Sequence, residues 1–209
     1  MLIVALTGGI ACGKSVVAAS LRDMGCFVHS ADLIARDLMN PDSPAWKEIV
    51  ARFGSGILNP DRTIDRAKLG AIIFADRAER SVLDGIVHPR VQKKLEDVIA
   101  DLEREGRYSI YVLEAALVLE AGMTGRYDKI IVTHCAEEVR ILRLMERDGI
   151  GREAALRKIH SQASQEEKLR QADYPIDTSG TIAETIEQTE RIYAMLVRDE
   201  ELKTAARDS

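Results

Sequence analysis

Eight residues near the start of the chain, Gly8-Gly9-Ile10-Ala11-Cys12-Gly13-Lys14-Ser15, fit the spacing G-x-x-x-x-G-K-[ST]. Glycine lets the backbone curl until successive amide N–H groups converge on one anion. A helix opening at Lys14-Ser15 would add unpaired donors and a positive dipole end. Lys14 then suits the β- and γ-phosphates of a nucleoside triphosphate, and the Ser15 hydroxyl suits Mg²⁺. With Val16, residues 8–16 form the candidate nucleotide cradle. A chance match is expected in on the order of one chain in a hundred of this length. The setting cuts that further, because the motif follows an apolar run and opens a helical pattern. Kinases, GTPase switches, motors and transport ATPases all share such a loop, so the reaction must be read elsewhere.

In a parallel sheet, ligands lie outside the carboxyl ends of the strands. Asp32 falls just past a second short strand (residues 26–29), and Glu114 ends a third (residues 109–113). Asp32 is placed to orient or deprotonate an acceptor hydroxyl, and Glu114 to hold Mg²⁺ directly or through water. The plain alternatives are a helix N-cap for Asp32 and a strand-ending residue for Glu114. Glu120 divides evenly between site and surface. Arg140, Arg143 and Arg147 recur at helical spacing, so one helix face collects guanidinium groups able to meet phosphoryl oxygens. A solvated, salt-bridged helix accounts equally well for any single one of them. The cluster as a whole reads as a mobile lid. Cys12, at a helix N-terminus, favours the thiolate. Thiol reagents are therefore expected to attack the cradle and ATP to protect it, with inert packing as the bland alternative. The four histidines and three cysteines show no zinc spacing.

The elements that must position these groups alternate in type. Short apolar strands at residues 2–6, 26–29, 109–113, 129–133 and 174–176 alternate with helical patterns. That alternation implies an α/β fold with a parallel sheet flanked by helices. The long helical stretch between the second and third strands reads as a cap. His88-Pro89 marks an apparent helix start, residues 54–65 read as loop, and residues 200–209 as frayed. The chain divides into a core (about 1–31, 106–142 and 171–199), a helical substrate-binding part (about 32–105) and a lid (about 143–170).

A length of 209 residues suits one such domain, and 46% hydrophobic residues supply its core. A net charge of −5 argues against a nucleic-acid binder. Three cysteines at no framework spacing suit a reduced, cytoplasmic setting. No stretch approaches the roughly 20 apolar residues of a membrane span, and the run at residues 2–6 is too short for a signal-peptide core.

The motifs resemble the dephospho-coenzyme A kinase family along nearly the whole chain. Leu6-Thr7-Gly8-Gly9-Ile10 with Gly13-Lys14-Ser15 is similar to the family's opening. Asp32-Leu33-Ile34-Ala35-Arg36, Phe53-Gly54, Ile64-Asp65-Arg66 with Leu69, Ile73-Phe74 and Val87-His88-Pro89 follow in family order. Then come Arg143-Leu144 with Arg147, Gln162, Lys168, Ala172-Asp173-Tyr174 and Ile176-Asp177. The resemblance implies a nucleoside-monophosphate-kinase-like core with a substrate domain and a lid. It also implies transfer of the ATP γ-phosphate to the ribose 3′-hydroxyl of dephospho-coenzyme A, the last step of coenzyme A synthesis. Carried over by position, Asp32 is the base or hydroxyl-orienting residue. Arg66 and His88 lie on the acceptor side, and Arg143 and Arg147 bring lid charge to the phosphates. The chain departs from the family's usual glycine, serine and threonine with Ala11, Cys12 and Val16. It has Glu114 and Ala116 where the family has aspartate and proline, and Thr178 where asparagine is common.

A nucleoside or nucleotide kinase shares core and lid and is the competing enzyme. A GTP-binding switch is the competing class. It would need an N-K-x-D tetrapeptide and a D-x-x-G after the third strand, and the chain has neither. The oligomeric state stays open, and a monomer is compatible with all of this.

Overall fold

Leu2-Ile-Val-Ala-Leu6 offers no polar face, so it is stable only where both sides are covered. In the computed structural model, which describes residues 1–116 and 124–207, this run is β1 (Leu2–Gly8), the central strand of five. The order across the sheet is β2 (Phe27–Ser30), β3 (Ile110–Glu114), β1, β4 (Lys129–His134), β5 (Tyr174–Asp177). β1 runs parallel to β3 and β4, with Leu6 in register with Glu114 and Thr7 with Val132. The order reverses at β1, where the chain steps first to one side and later to the other. Open α/β sheets bind ligands at such a switch point, beyond the strand ends.

Helix α1 (Lys14–Asp23) buries Val17, Ala18 and Leu21 against one sheet face, beside Ile192 and Leu196 of the closing helix. Burying each such aliphatic side chain contributes about 1.5–3 kcal/mol. The helix stops in a paired turn: Gly25, at φ +98°, donates to the Arg22 carbonyl, and Cys26 donates to that of Leu21. On the other face Ala5, Ile130 and Val132 pack with Tyr127, Leu169 and Ala172.

Two compact units divide the chain. Met1–His29 with Glu105–Ser209 form one, and Ser30–Arg104 the other. The second is helical: α2 (Ala31–Leu38), α3 (Pro44–Phe53), α4 (Arg66–Ala75) and α5 (Arg77–Glu105) enclose Ile49, Ile57, Leu69 and Val87. In the first unit, α6 (Glu137–Asp148), α7 (Arg152–His160) and α8 (Gln165–Leu169) follow β4, and α9 (Ile182–Arg207) follows β5.

Two sequence expectations need correction, and the loop reading of residues 54–65 gains detail. His88-Pro89 starts no helix, because α5 runs through Pro89. The N–H that proline lacks leaves the Gly85 carbonyl without its usual helical donor, and one residue on, Arg90 donates from its guanidinium to the Ile86 carbonyl at 2.6 Å. Residues 200–207 are helical, held in part by Lys203, which donates to the Met1 carbonyl at 3.0 Å. Residues 54–65 contain a short 3-10 turn and a bridge between Leu58 and Ile64.

The turn between β1 and α1 carries unusual backbone. Gly8 approaches β4 so closely that a Cβ would lie 2.2 Å from the Thr133 hydroxyl. Gly13 caps α1 at φ +62°, and Ala11, with no glycine freedom, sits at φ +61°. A left-handed conformation costs an L-residue about 1–2 kcal/mol. The Ala11 methyl packs with the α6–α7 cluster of Ile141, Leu144, Ala155 and Ile159, and returns up to about 0.8 kcal/mol. Alanine also restricts the unfolded chain, by about 0.4–1 kcal/mol relative to glycine. These effects nearly cancel. Ala11→Gly is therefore expected to shift stability in urea unfolding by less than about 0.5 kcal/mol. Ala11→Val, whose branched Cβ fits badly at positive φ, should destabilise by about 2 kcal/mol. Equal tolerance of glycine and valine would mean that position 11 is not held left-handed.

Candidate active site

A phosphate cradle works only if its carbonyls are anchored outward, since that turns the adjoining amides toward the anion. Here the anchors come from distant parts of the chain. Arg140 Nε donates to the Ile10 carbonyl at 3.2 Å, and Arg143 Nη1 to that of Ala11 at 3.3 Å. Gln162 Oε1 accepts from the Ile10 amide at 2.8 Å. Lys14 Nζ lies across the loop and donates to the Gly8 and Gly9 carbonyls at 3.0 and 3.2 Å. The loop's shape is thus fixed mainly by α6 and by the segment after α7.

Arg143 does more than hold Ala11. Its Nη2 donates to the Thr178 carbonyl at 2.7 Å, and its Nη1 lies 3.3 Å from the Thr178 hydroxyl. That hydroxyl donates in turn to the His134 carbonyl at 3.2 Å. Thr178 is buried, and a Cβ on Gly13 would meet its side chain at 3.2 Å. The turn after β5 therefore rests on the glycine that caps α1. Arg147 points outward and pairs with Asp148 at 2.7 Å. Arg147 and Lys158 together hold the Asp148 carboxyl well below the usual carboxylate range.

Beside the loop opens a cavity of about 540 Å³, lined among others by Ser15, Val16, Arg143, Arg147, Thr178 and Ile182. Ile182, in the first turn of α9, is 66% exposed, an apolar side chain left open on its rim. The volume lies within the range of small-molecule sites. Ser15 is exposed in the first turn of α1, and Glu114, half-buried, ends the strand beside β1. The structure therefore brings residues 8–16 together with Arg143 and Arg147, with Glu114 on the adjoining strand.

Asp32, Arg66 and His88 belong to the other unit, on α2, α4 and α5. Asp32 is exposed in the first turn of α2, and the N-cap position is Ser30, so the capping alternative does not describe it. Arg66 is exposed and opens α4, which Asp65 caps by accepting from the Ala67 and Lys68 amides. His88 lies 3.7 Å from Asp84. Glu120 lies outside the described residues.

Cys12 departs from expectation. It is only 1% exposed, and its sulfur faces Cys135 rather than open solvent. The thiol is lowered to about 6, chiefly by a hydrogen bond from the Cys135 thiol and against the effect of burial, with the Arg140 and Lys14 charges assisting. The helix N-terminus is not the leading cause. Sequence reasoning also assigned no role to Gln162, Thr178 or the fully buried Lys168, whose Nζ donates to the Ala116 carbonyl at 3.2 Å. For Arg140 the signal was present in its spacing from Arg143.

A family model described as dephospho-CoA kinase matches residues 2–184. A dephospho-CoA kinase of Carboxydothermus hydrogenoformans is 45% identical over 186 residues, covering 89% of this chain and 90% of that one. One from Geobacter sulfurreducens is 42% identical over 194 residues, covering 93% and 98%. The solved dephospho-CoA kinase of Campylobacter jejuni superposes with a TM-score of 0.70 at 27% identity, over 94% of this chain and 98% of that one. The match runs through the loop, its anchors on α6 and after α7, and the helical unit alike, and the chain belongs to the dephospho-CoA kinase family.

Proposed function

We infer that this protein transfers the γ-phosphoryl group of ATP to the ribose 3′-hydroxyl of dephospho-coenzyme A, the final step of coenzyme A synthesis. The observation that carries the reading is the anchored loop with Lys14 across it, in a chain matched by the family model over both units. The same family membership favours this reading over a nucleotide kinase or a GTP switch. The reaction belongs in the cytoplasm, where its substrates are water-borne; among the described residues no helix is long and apolar enough to cross a membrane.

Loop amides at residues 11 and 13–15 receive the phosphates, and the cavity lined by Val16 and Ile182 takes the nucleoside, with the exposed isoleucine offering an apolar surface to the base. The Thr178 hydroxyl is already bonded to His134 and Arg143, so it adds little to base recognition. Lys14 exchanges the Gly8 and Gly9 carbonyls for phosphate oxygens and follows the charge that develops there. Arg147, at the edge of the cavity, adds lid charge, and Arg143 keeps the loop in shape while contributing its own field.

Ser15, with Glu114 on the neighbouring strand, offers the oxygen donors that suit a hard cation. Mg²⁺ held there would neutralise phosphate charge. Asp32, two residues beyond β2, accepts the 3′-hydroxyl proton or aligns that hydroxyl. The oxygen–phosphorus bond to the acceptor then forms as the bond to ADP breaks. Arg66 and His88 serve the anionic acceptor.

Three measurements test the reading. In a coupled ADP-release assay, dephospho-coenzyme A should accelerate ATP turnover far more than AMP or adenosine; equal activity with AMP would move the protein to the nucleotide kinases. Lys14→Ala should lower turnover by roughly a hundredfold or more, and near wild-type turnover would show that the loop is not the working site. Asp32→Asn should lower turnover sharply while leaving ATP affinity by direct titration nearly unchanged. Lost ATP affinity with turnover intact at saturation would instead assign Asp32 to the nucleotide.

A further inference from the structure

Cys12 and Cys135 are far apart in sequence, yet their sulfurs lie 3.8 Å apart and both residues are 1% exposed. Cys12 sits inside the phosphate loop, and Cys135 follows β4 directly. We propose that these two thiols form a dithiol site oxidised by peroxides, and that the resulting disulfide disables the loop for nucleotide binding.

The pair is asymmetric, as such chemistry requires. Cys135 donates its proton toward Cys12, and Lys14 and Arg140 place positive charge near the accepting sulfur. Cys12 is therefore the thiol biased toward thiolate, while Cys135 is pushed up by that same hydrogen bond and by burial, and keeps its proton. Arg143 Nη1 stands 3.8 Å from the Cys135 sulfur, ready to favour negative charge there once Cys12 has reacted. Cys26 supplies an internal contrast: it is buried in the sheet core and pushed up to about 12 by desolvation alone.

With both sulfurs almost fully buried, the oxidant to expect is a small neutral one, and hydrogen peroxide is scarcely larger than water. In the first step the Cys12 sulfur attacks one peroxide oxygen. An S–O bond forms, the O–O bond breaks, and the departing hydroxide takes back from solvent the proton that Cys12 gave up on ionising and leaves as water. Cys12 is now a sulfenic acid. In the second step the Cys135 sulfur attacks the Cys12 sulfur. The S–S bond forms, the S–O bond breaks, and the Cys135 proton leaves with the hydroxyl as a second water. Two thiols have lost two electrons, and one hydrogen peroxide has become two waters.

Bond formation shortens the sulfur separation from 3.8 Å to about 2.0 Å. Position 12 lies between two left-handed residues, Ala11 and Gly13, in a loop pinned by Arg140, Arg143 and Gln162. A loop so constrained takes up the displacement by turning its peptide planes, and those planes carry the phosphate-binding amides.

The inference rests on the loop's binding nucleotide, but the thiols are mapped independently of activity. The full chain is treated with excess hydrogen peroxide, quenched, denatured, alkylated and digested without reduction. The expected result is a Cys12–Cys135 cross-linked peptide, free Cys26, and ATP affinity by calorimetry weakened about tenfold or more and restored by dithiothreitol. In Cys135→Ser the cross-link should vanish, and a dimedone-reactive sulfenic acid should accumulate at Cys12. Survival of all three thiols, a cross-link through Cys26, or a Cys12–Cys135 cross-link without loss of ATP affinity would overturn the proposal.

Discussion

A phosphate loop is a polar backbone segment that must stay curled with its amides on one side, and the bonds within its own eight residues reach only the Gly8 and Gly9 carbonyls. Its carbonyls must be bonded on the other side, and this requirement organises the first unit. Arg140 and Arg143 bond loop carbonyls from α6, Gln162 accepts from the Ile10 amide from the turn after α7, and Thr178 packs against Gly13 from the exit of β5. All of these lie at the carboxyl edge of the sheet because β4 and β5 sit beside β1 in parallel register. The parallel sheet, with its buried apolar strands, is the frame that lets residues more than a hundred positions apart meet around one turn.

The choice of anchors has an electrostatic consequence. Arg140 is 6% exposed, and a buried cation costs several kcal/mol unless its donors are satisfied. Carboxylates would satisfy them, but would also cancel the charge that attracts phosphate. Arg140 and Arg143 instead bond to neutral main-chain carbonyls and to the Thr178 hydroxyl. Apart from what the Cys12 sulfur beside Arg140 takes, their positive field around the loop therefore survives. The acidic partners in this region are kept outside: Asp148 is taken by Arg147 and Lys158, and Glu138 by Arg152 on the exposed side.

Much of this was legible from residue type and spacing. An unbroken apolar run specifies a doubly covered strand, and the G-x-x-x-x-G-K-S spacing specifies the turn that follows it. Arginines three and four apart specify a shared helix face. What stayed hidden depends on tertiary partners. Pro89 reads locally as a helix break, yet α5 continues through it in the folded chain. The last turns of α9 look frayed until Lys203 is seen to reach the Met1 carbonyl. Gln162 is an ordinary polar residue in a short turn, and no periodicity reveals that it accepts from the Ile10 amide. Asp32 was read from its place beyond the second strand, whereas Arg66 and His88 stood out only through family order, since both are exposed and carry no local pattern of their own.

The departures at positions 11, 12 and 178 then share one physical explanation. Ala11 directs its methyl into the α6–α7 cluster, Cys12 its sulfur toward Cys135, and Thr178 its side chain against Gly13 and Arg143. All three act on the outer side of the loop, where the anchors are, and none replaces an amide that faces the phosphates. A backbone-built anion site tolerates this kind of change, because its chemistry resides in peptide groups that every residue carries. What such changes alter is the stiffness and covalent potential of the support. An alanine held left-handed leaves the loop less free to re-form than glycine would. A cysteine in place of serine gives the support a group that can form a bond across to β4. The cradle is thus kept by its shape, and the substitutions adjust how firmly, and under what conditions, that shape is held.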